Sequence, residues 1–341
     1  MKNLALYFIT SSVISFIVTA VLCFVFIPVL RAANLGQKIL DIGPSWHKHK
    51  EGTPTMGGLF FMGGAIAAAG VVYVLTLVSP GVLDTSDLVP LAVSLLAAMG
   101  FALTGFIDGR VKLLKKQNEG LTPTQKLILQ FIVTAAYLAA MKFTDNLSTL
   151  VVIPFFPHPV EFGIFFYAIA LLGIVFTVNA VQFTDGIDGL ESCVTIVVAV
   201  FFMLLARMTG RDGLSLYCLI TVASLAAFLI FNFHPAKVFM GDTGSHFLGG
   251  TVIAFAFWAG APLVILFAGI IYFIEIVSVI IQVTSFKLTG KRVFKMSPIH
   301  HHFELCNWRE TKIVGVFSFI TALSCAVGFL SLLFTDYFKA V

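Results

Sequence analysis

Charge is scarce in this 341-residue chain: Asp, Glu, Lys and Arg together make up 11% of it, against about 25% in soluble domains. So few ions cannot solvate a globular surface, and 59% of the residues are hydrophobic, so the chain reads as an integral membrane protein. Period-two alternation is missing too, which excludes transmembrane β-barrel strands. The five cysteines (Cys23, Cys193, Cys218, Cys306 and Cys325) contain no CxxC pair. That excludes a disulfide framework or zinc ribbon and leaves small buried hydrophobes. No G-x-x-x-x-G-K-S/T run is present, so there is no P-loop. Basic residues are not interleaved with aromatics, which argues against nucleic acid as a partner. No gap between apolar runs can hold a soluble domain, and residues 1–341 read as one integral-membrane domain.

What is present is a series of apolar segments, at 4–30, 57–78, 88–107, 122–141, 162–181, 189–207, 214–231, 244–259, 263–286 and 313–334. Each approaches the roughly 20 residues that cross a bilayer as a helix. The first is too long for a signal peptide and lacks a small-residue cleavage site. The expected fold is an all-α polytopic membrane protein with about ten transmembrane helices. Lys and Arg then set orientation. Sixteen of the twenty-one fall on the connections after odd-numbered spans, the exceptions being Lys2, Lys142, Arg207, Arg211 and Lys339. That side is assigned to the cytoplasm, with both termini outside.

Five polar stretches fall on the same connections: KHKEGTPTMGG (48–58), FIDGRVKLLKK (106–116), NAVQFTDGIDGL (179–190), FNFHPAKVFMGDTGSHFLGG (231–250) and SPIHHHFE (297–304). Loops on one membrane face can converge on one site. Asp185 and Asp188 stand three apart, close to one helical turn. Capping the sixth span needs one acid, not two with Asn179 and Gln182, so a polar shelf at the membrane edge is favoured. Asp242, in a Gly-Asp-x-Gly turn, offers a carboxylate suited to Mg²⁺, a hard cation that takes oxygen ligands and shares them with phosphates. Asp108 closes the third span. His300, His301 and His302 are consecutive, about 100° apart on a helix, so they suit phosphate contact better than one shared metal. Lys50 precedes a Gly/Thr-rich loop. Glu275 lies amid apolar residues, where a carboxylate is expensive and by default functional or networked. Acids, basic groups and glycine turns on one face suggest Mg²⁺-assisted phosphoryl transfer with an active site on cytoplasmic loops.

GTPTMGG, NAVQFTDGIDGL, VFMGDTGS, SFKLTGKRVFKMSPIHHHFEL and the span layout together resemble the phospho-N-acetylmuramoyl-pentapeptide transferases, a branch of the polyprenyl-phosphate sugar-1-phosphate transferases. The resemblance implies transfer of phospho-MurNAc-pentapeptide from UDP-MurNAc-pentapeptide to undecaprenyl phosphate, giving lipid I and UMP, with Mg²⁺ as cofactor, in a bacterial inner-membrane homodimer. It implies catalytic roles for Asp108, Asp185, Asp242 and His301, with Asp242 on the metal and Gln182 as a further metal contact. It implies substrate contacts from Lys50, Asn179, Gln182, Gly186, Ile187, Asp188, Asn232, Phe239, His300 and His302. Two positions depart from the family pattern. Gly109 stands where a second aspartate is usual, which implies either reduced activity or sufficiency of the remaining acids. Gln182 stands where asparagine is usual and carries its amide one methylene farther out. The rival readings are a related UDP-GlcNAc transferase, a membrane transporter, and an enzyme fold retained only for binding.

Overall fold

The computed structural model describes residues 2–32, 50–78, 83, 85–115 and 120–339. Of the basic residues assigned above to the cytoplasmic side, Lys38, Lys48 and Lys116 lie outside them, as do the first two residues of the 48–58 stretch. The elements run α1 (Lys2–Ala32), α2 (Gly58–Val78), α3 (Thr85–Lys115), α4 (Pro123–Phe143), β1 (Leu150–Val151), β2 (Val160–Glu161), α5 (Phe165–Thr184), α6 (Leu190–Met208), α7 (Asp212–Asn232), α8 (Gly241–Trp258), α9 (Ile265–Ala268), α10 (Ile270–Thr289), α11 (Ile299–Glu304) and α12 (Glu310–Leu333). The chain is thus an all-α polytopic membrane protein, its one small addition being the antiparallel β1–β2 pair, Leu150 opposite Glu161.

Among the described residues nine helices are long and apolar enough to cross a membrane. The remaining expected span is α8. It has 18 residues and opens on the polar run GDTGSH, yet Thr243 through Trp258 are all buried. It is the central post, packed against α2, α3, α5, α6 and α7. Small residues permit that burial, because helices in membranes approach closely only where side chains are small. A side chain at Gly249 would press on the Val178 backbone, and one at Gly250 on Ala98. The expected ninth span divides into a 3₁₀ turn at Pro262–Val264, the single turn α9 and then α10. The outward faces stay apolar, with Phe24, Leu172 and Phe319 exposed, as lipid-facing surfaces require.

Local signals explain several helix starts. Thr122 caps α4 in a capping box, its hydroxyl accepting from the Gln125 amide while Gln125 reaches back, with Pro123 in the first turn. By contrast α6 starts at the left-handed Gly189, with no side-chain cap. Neither Asp185 nor Asp188 is therefore spent as a cap.

Contacts sort the helix ends into two faces. On one, Arg207 at the end of α6 lies over Phe8 of α1, Asp87 of α3 accepts from the Gly213 amide of α7, the Tyr337 hydroxyl donates to Ala259 after α8, and the Asp336 amide donates to Pro157. The start of α1 and the end of α12 both belong to this face. The described parts of the five polar stretches belong to the other.

Candidate active site

Residues 54–58 are laced to the start of α8: Phe239 N donates to Pro54 O (2.8 Å), Gly57 N to Phe239 O (2.8 Å) and Gly58 N to Met240 O (3.0 Å). A Cβ on Gly58 would collide with the Gly244 backbone, so both glycines are needed for this approach. The lacing brings Lys50 beside the turn between α5 and α6. Its ammonium lies 2.7 Å from Asp188 Oδ1 and 2.7 Å from Glu310 Oε1, the latter on the first turn of α12. The Asp188 amide donates to Glu310 Oε2 (3.0 Å), while Asp188 Oδ2 faces His234 Nδ1 and the Ala236 amide, each at 3.0 Å. Burial opposes ionisation of Asp188, but the Lys50 hydrogen bond and charge, the Ala236 amide and His234 together hold its carboxyl below the usual carboxylate range.

A second group surrounds Asp242. Gln182 Nε2 donates to Asp242 Oδ1 (2.7 Å), and Gln182 Oε1 accepts from Lys126 Nζ (2.7 Å). A side chain at Gly105 would strike the Asp242 carbonyl, so α3 passes hard against this residue. One turn on, the Asp108 carboxylate accepts from the Leu121 amide (2.7 Å), just ahead of α4. Desolvation and then the neighbouring Asp242 carboxylate push the Asp185 carboxyl up to about 7. Gly109 borders this region, and a Cβ there meets nothing within 4 Å.

The three histidines diverge, as their spacing requires. His300 is fully buried, with Nδ1 3.1 Å from Glu275 Oε2, which identifies the partner of that mid-helix carboxylate. A Cβ on Gly186 would collide with the His300 ring, so α11 sits directly on the α5–α6 turn. His301 Nδ1 pairs with Glu304 (2.6 Å), and His302 Nδ1 accepts from the Lys295 amide (3.2 Å).

Two acidic groups bear on where a cation would sit. Asp188, His234 and Glu310 present ligand atoms within 4.8 Å of one another, but the Lys50 ammonium already sits between the two carboxylates, and imidazole is a poor ligand for Mg²⁺. Asp242 and Asp185 offer only oxygen, and their mutual repulsion would be relieved by a divalent ion. The residues therefore fit Mg²⁺ better at Asp242. Gln182 turns its nitrogen to Asp242 and commits its oxygen to Lys126.

The structure brings Lys50, Gln182, Asp185, Gly186, Asp188, Asp242 and His300 into one continuous region. Ile187 is buried beneath it. Asn232 braces the α7–α8 connection, donating to Val238 O (3.0 Å), and the Phe239 backbone belongs to the lacing. Asn179 lies deeper, bonded to Gln130 (2.7 Å) and Val175 O (2.7 Å). Sequence reasoning missed Glu310, His234, Lys126, Gln130 and His246. Lys126/Gln130 and Asp242/His246 are both i,i+4 pairs, a spacing legible in the sequence. Nothing local marks Glu310. All five cysteines are free.

Comparison with known proteins places this geometry in context. A profile described as Glycosyl transferase family 4 matches residues 91–260, and one described as Phospho-N-acetylmuramoyl-pentapeptide-transferase signature 1 matches residues 50–61. The chain is similar to the phospho-N-acetylmuramoyl-pentapeptide-transferase of Clostridium perfringens strain 13, at 43% identity over 94% of this chain and 97% of that protein. The protein of the same name from Clostridium acetobutylicum is 44% identical over 95% of this chain and 99% of its own length. That of Clostridium novyi is 40% identical over 95% and 97%.

Proposed function

The chain belongs to the phospho-N-acetylmuramoyl-pentapeptide-transferase family, and from that membership we propose how its residues divide the reaction. It transfers phospho-MurNAc-pentapeptide to undecaprenyl phosphate, forming lipid I, as an enzyme of peptidoglycan synthesis in a bacterial membrane. The donor is UDP-MurNAc-pentapeptide and the second product UMP. The site opens to the cytoplasm, on the side favoured by Lys and Arg.

One observation carries the division of labour: four stretches far apart in sequence are tied together by Lys50–Asp188, Gln182–Asp242 and the seating of His300 on Gly186, and α3 closes on them where Gly105 meets the Asp242 carbonyl. Phosphoryl transfer needs placement and charge neutralisation more than covalent chemistry. Asp242, with Asp185 beside it, would hold Mg²⁺; when bound, the ion offsets charge on the donor diphosphate. Gly186, Ile187 and Asp188 frame the nucleotide end, and Lys50 fixes that frame by joining Asp188 to Glu310. Asp108 ties the end of α3 to Leu121 at the start of α4, beside the acceptor. His300 and His301 present imidazoles on the sugar-phosphate side, with His302 anchoring α11 to residue 295. The acceptor phosphate is ionised near pH 7, so in-line attack asks little of a base. A homodimer accompanies this reading, and cross-linking in native membranes tests it.

UMP release from UDP-MurNAc-pentapeptide and undecaprenyl phosphate is the direct test, run beside UDP-GlcNAc as the rival donor. Lipid I from the first donor alone is expected. Product from UDP-GlcNAc alone, or substrate flux into vesicles without product, overturns the reading.

A further inference from the structure

Beneath Asp242 lies a second tier of polar side chains that the reaction as described does not use. Three helices supply both tiers. From α4 come Lys126 and, four residues on, Gln130; from α5 come Gln182 and, three residues back, Asn179; from α8 come Asp242 and, four residues on, His246. Each spacing is one helical turn, so each upper residue has a lower partner on the same face. The upper tier is the chain Lys126–Gln182–Asp242. In the lower tier Asn179 Nδ2 donates to Gln130 Oε1 (2.7 Å), Gln130 Nε2 lies 3.3 Å from Asn179 Oδ1 and 3.2 Å from His246 Nε2, and His246 Nδ1 lies 2.7 Å from the Asp242 carbonyl. A carbonyl only accepts, so Nδ1 carries the proton and Nε2 accepts from Gln130. Gln130 and His246 are fully buried. In the lower tier each amide and ring nitrogen has a partner, and His246 connects the tier upward to Asp242.

We propose that His246, Gln130 and Asn179 form a positioning layer that fixes Asp242, and with it the divalent-cation site, from one helical turn below. Gln130 and His246 are buried and Asn179 partly so; a paired network of this kind is rigid, and breaking one member leaves its buried partners unsatisfied in a low dielectric. Gly105 leaves no room on the α3 side of the Asp242 carbonyl, so His246 meets that group where it cannot yield. His246 is a positioning residue, and the same role accounts for Asn179, whose amide is spent inside the layer.

The inference rests on Asp242 as cation ligand, so the test reads both. Mn²⁺ binding to the full chain in detergent is measured by electron paramagnetic resonance, with thermal unfolding alongside. Asp242→Asn should abolish site binding. His246→Leu should weaken Mn²⁺ about tenfold or more, the range for partners that orient a metal ligand. His246→Asn keeps a donor toward the Asp242 carbonyl and should recover most of the affinity. Gln130→Met, which keeps volume, should weaken Mn²⁺ like His246→Leu and serves if that variant does not fold. Lowered melting with unchanged Mn²⁺ affinity in both His246→Leu and Gln130→Met would overturn the positioning role. Unchanged affinity in Asp242→Asn would instead remove the cation assignment beneath it.

Discussion

Lys50→Met removes the ammonium from between Asp188 and Glu310 while keeping most of the side-chain volume. Lys50 and Asp188 are 8% and 3% exposed, and the Glu310 side chain is 9% exposed. Asp188 cannot turn to water, and Glu310, which lines a pocket with His234 and Trp308, can do so only in part. Breaking a buried ion pair by deleting one partner costs about 3–5 kcal/mol. Two acids are stranded here, although His234 and the Ala236 amide still serve Asp188, so the middle of that range is expected. At roughly 2 °C per kcal/mol for a large domain, melting falls by about 6–10 °C. The loss depends on pH. In the intact protein Asp188 is held below its ordinary value, so its contribution is present above the unfolded carboxylate value and disappears only as pH falls through the lower folded one. In Lys50→Met burial dominates and raises Asp188, so a proton partly replaces the ammonium on acidification. The melting difference between the two proteins should therefore narrow from pH 8 to pH 5. Lys50→Met/Glu310→Gln removes the second stranded charge and should recover about half the loss. Thermal unfolding of the three proteins in detergent decides this. A single variant within about 1 kcal/mol of wild type, or a double variant no more stable than the single, would refute the account.

Gly109→Asp adds a carboxylate where a Cβ meets only open space; melting should move by less than about 2 °C, and UMP release should rise if a second acid contributes, by up to the 10²–10⁴-fold of a positioned base. Gly186→Ala drives a methyl into the His300 ring; lipid I formation should fall at least tenfold, and unchanged turnover would show that α11 need not sit on the α5–α6 turn. Asp185, raised to about 7, costs stability that builds as pH rises from the unfolded carboxylate value to about 7; Asp185→Asn should therefore raise melting at pH 8, keep about half of that advantage at pH 5.5, and lose the rest only as pH falls to the unfolded carboxylate value.

Hydropathy and charge placement were legible in the sequence because they are local sums. The spans, the capping box at Thr122–Gln125 and the grouping of polar stretches on one face follow from neighbouring residues and from which connections carry Lys and Arg. The family motifs also located Asp185, Asp188, Asp242 and the histidines along the chain. Their pairing was not legible. Lys50 meets Asp188 138 positions away and Glu310 260 away, and no local pattern marks Glu310 as more than an acid at a helix start. Glu275 was recognisable as costly, but His300 became its partner only once α11 folded over α10. The segment at 244–259 was expected as one span among ten; its burial on all sides makes α8 the post that carries Asp242. The sequence alone determined which segments cross and which face holds the chemistry, since each depends on transfer of single side chains between water and lipid. Tertiary structure decided which charges neutralise one another, since that depends on how closely glycine-lined helices approach.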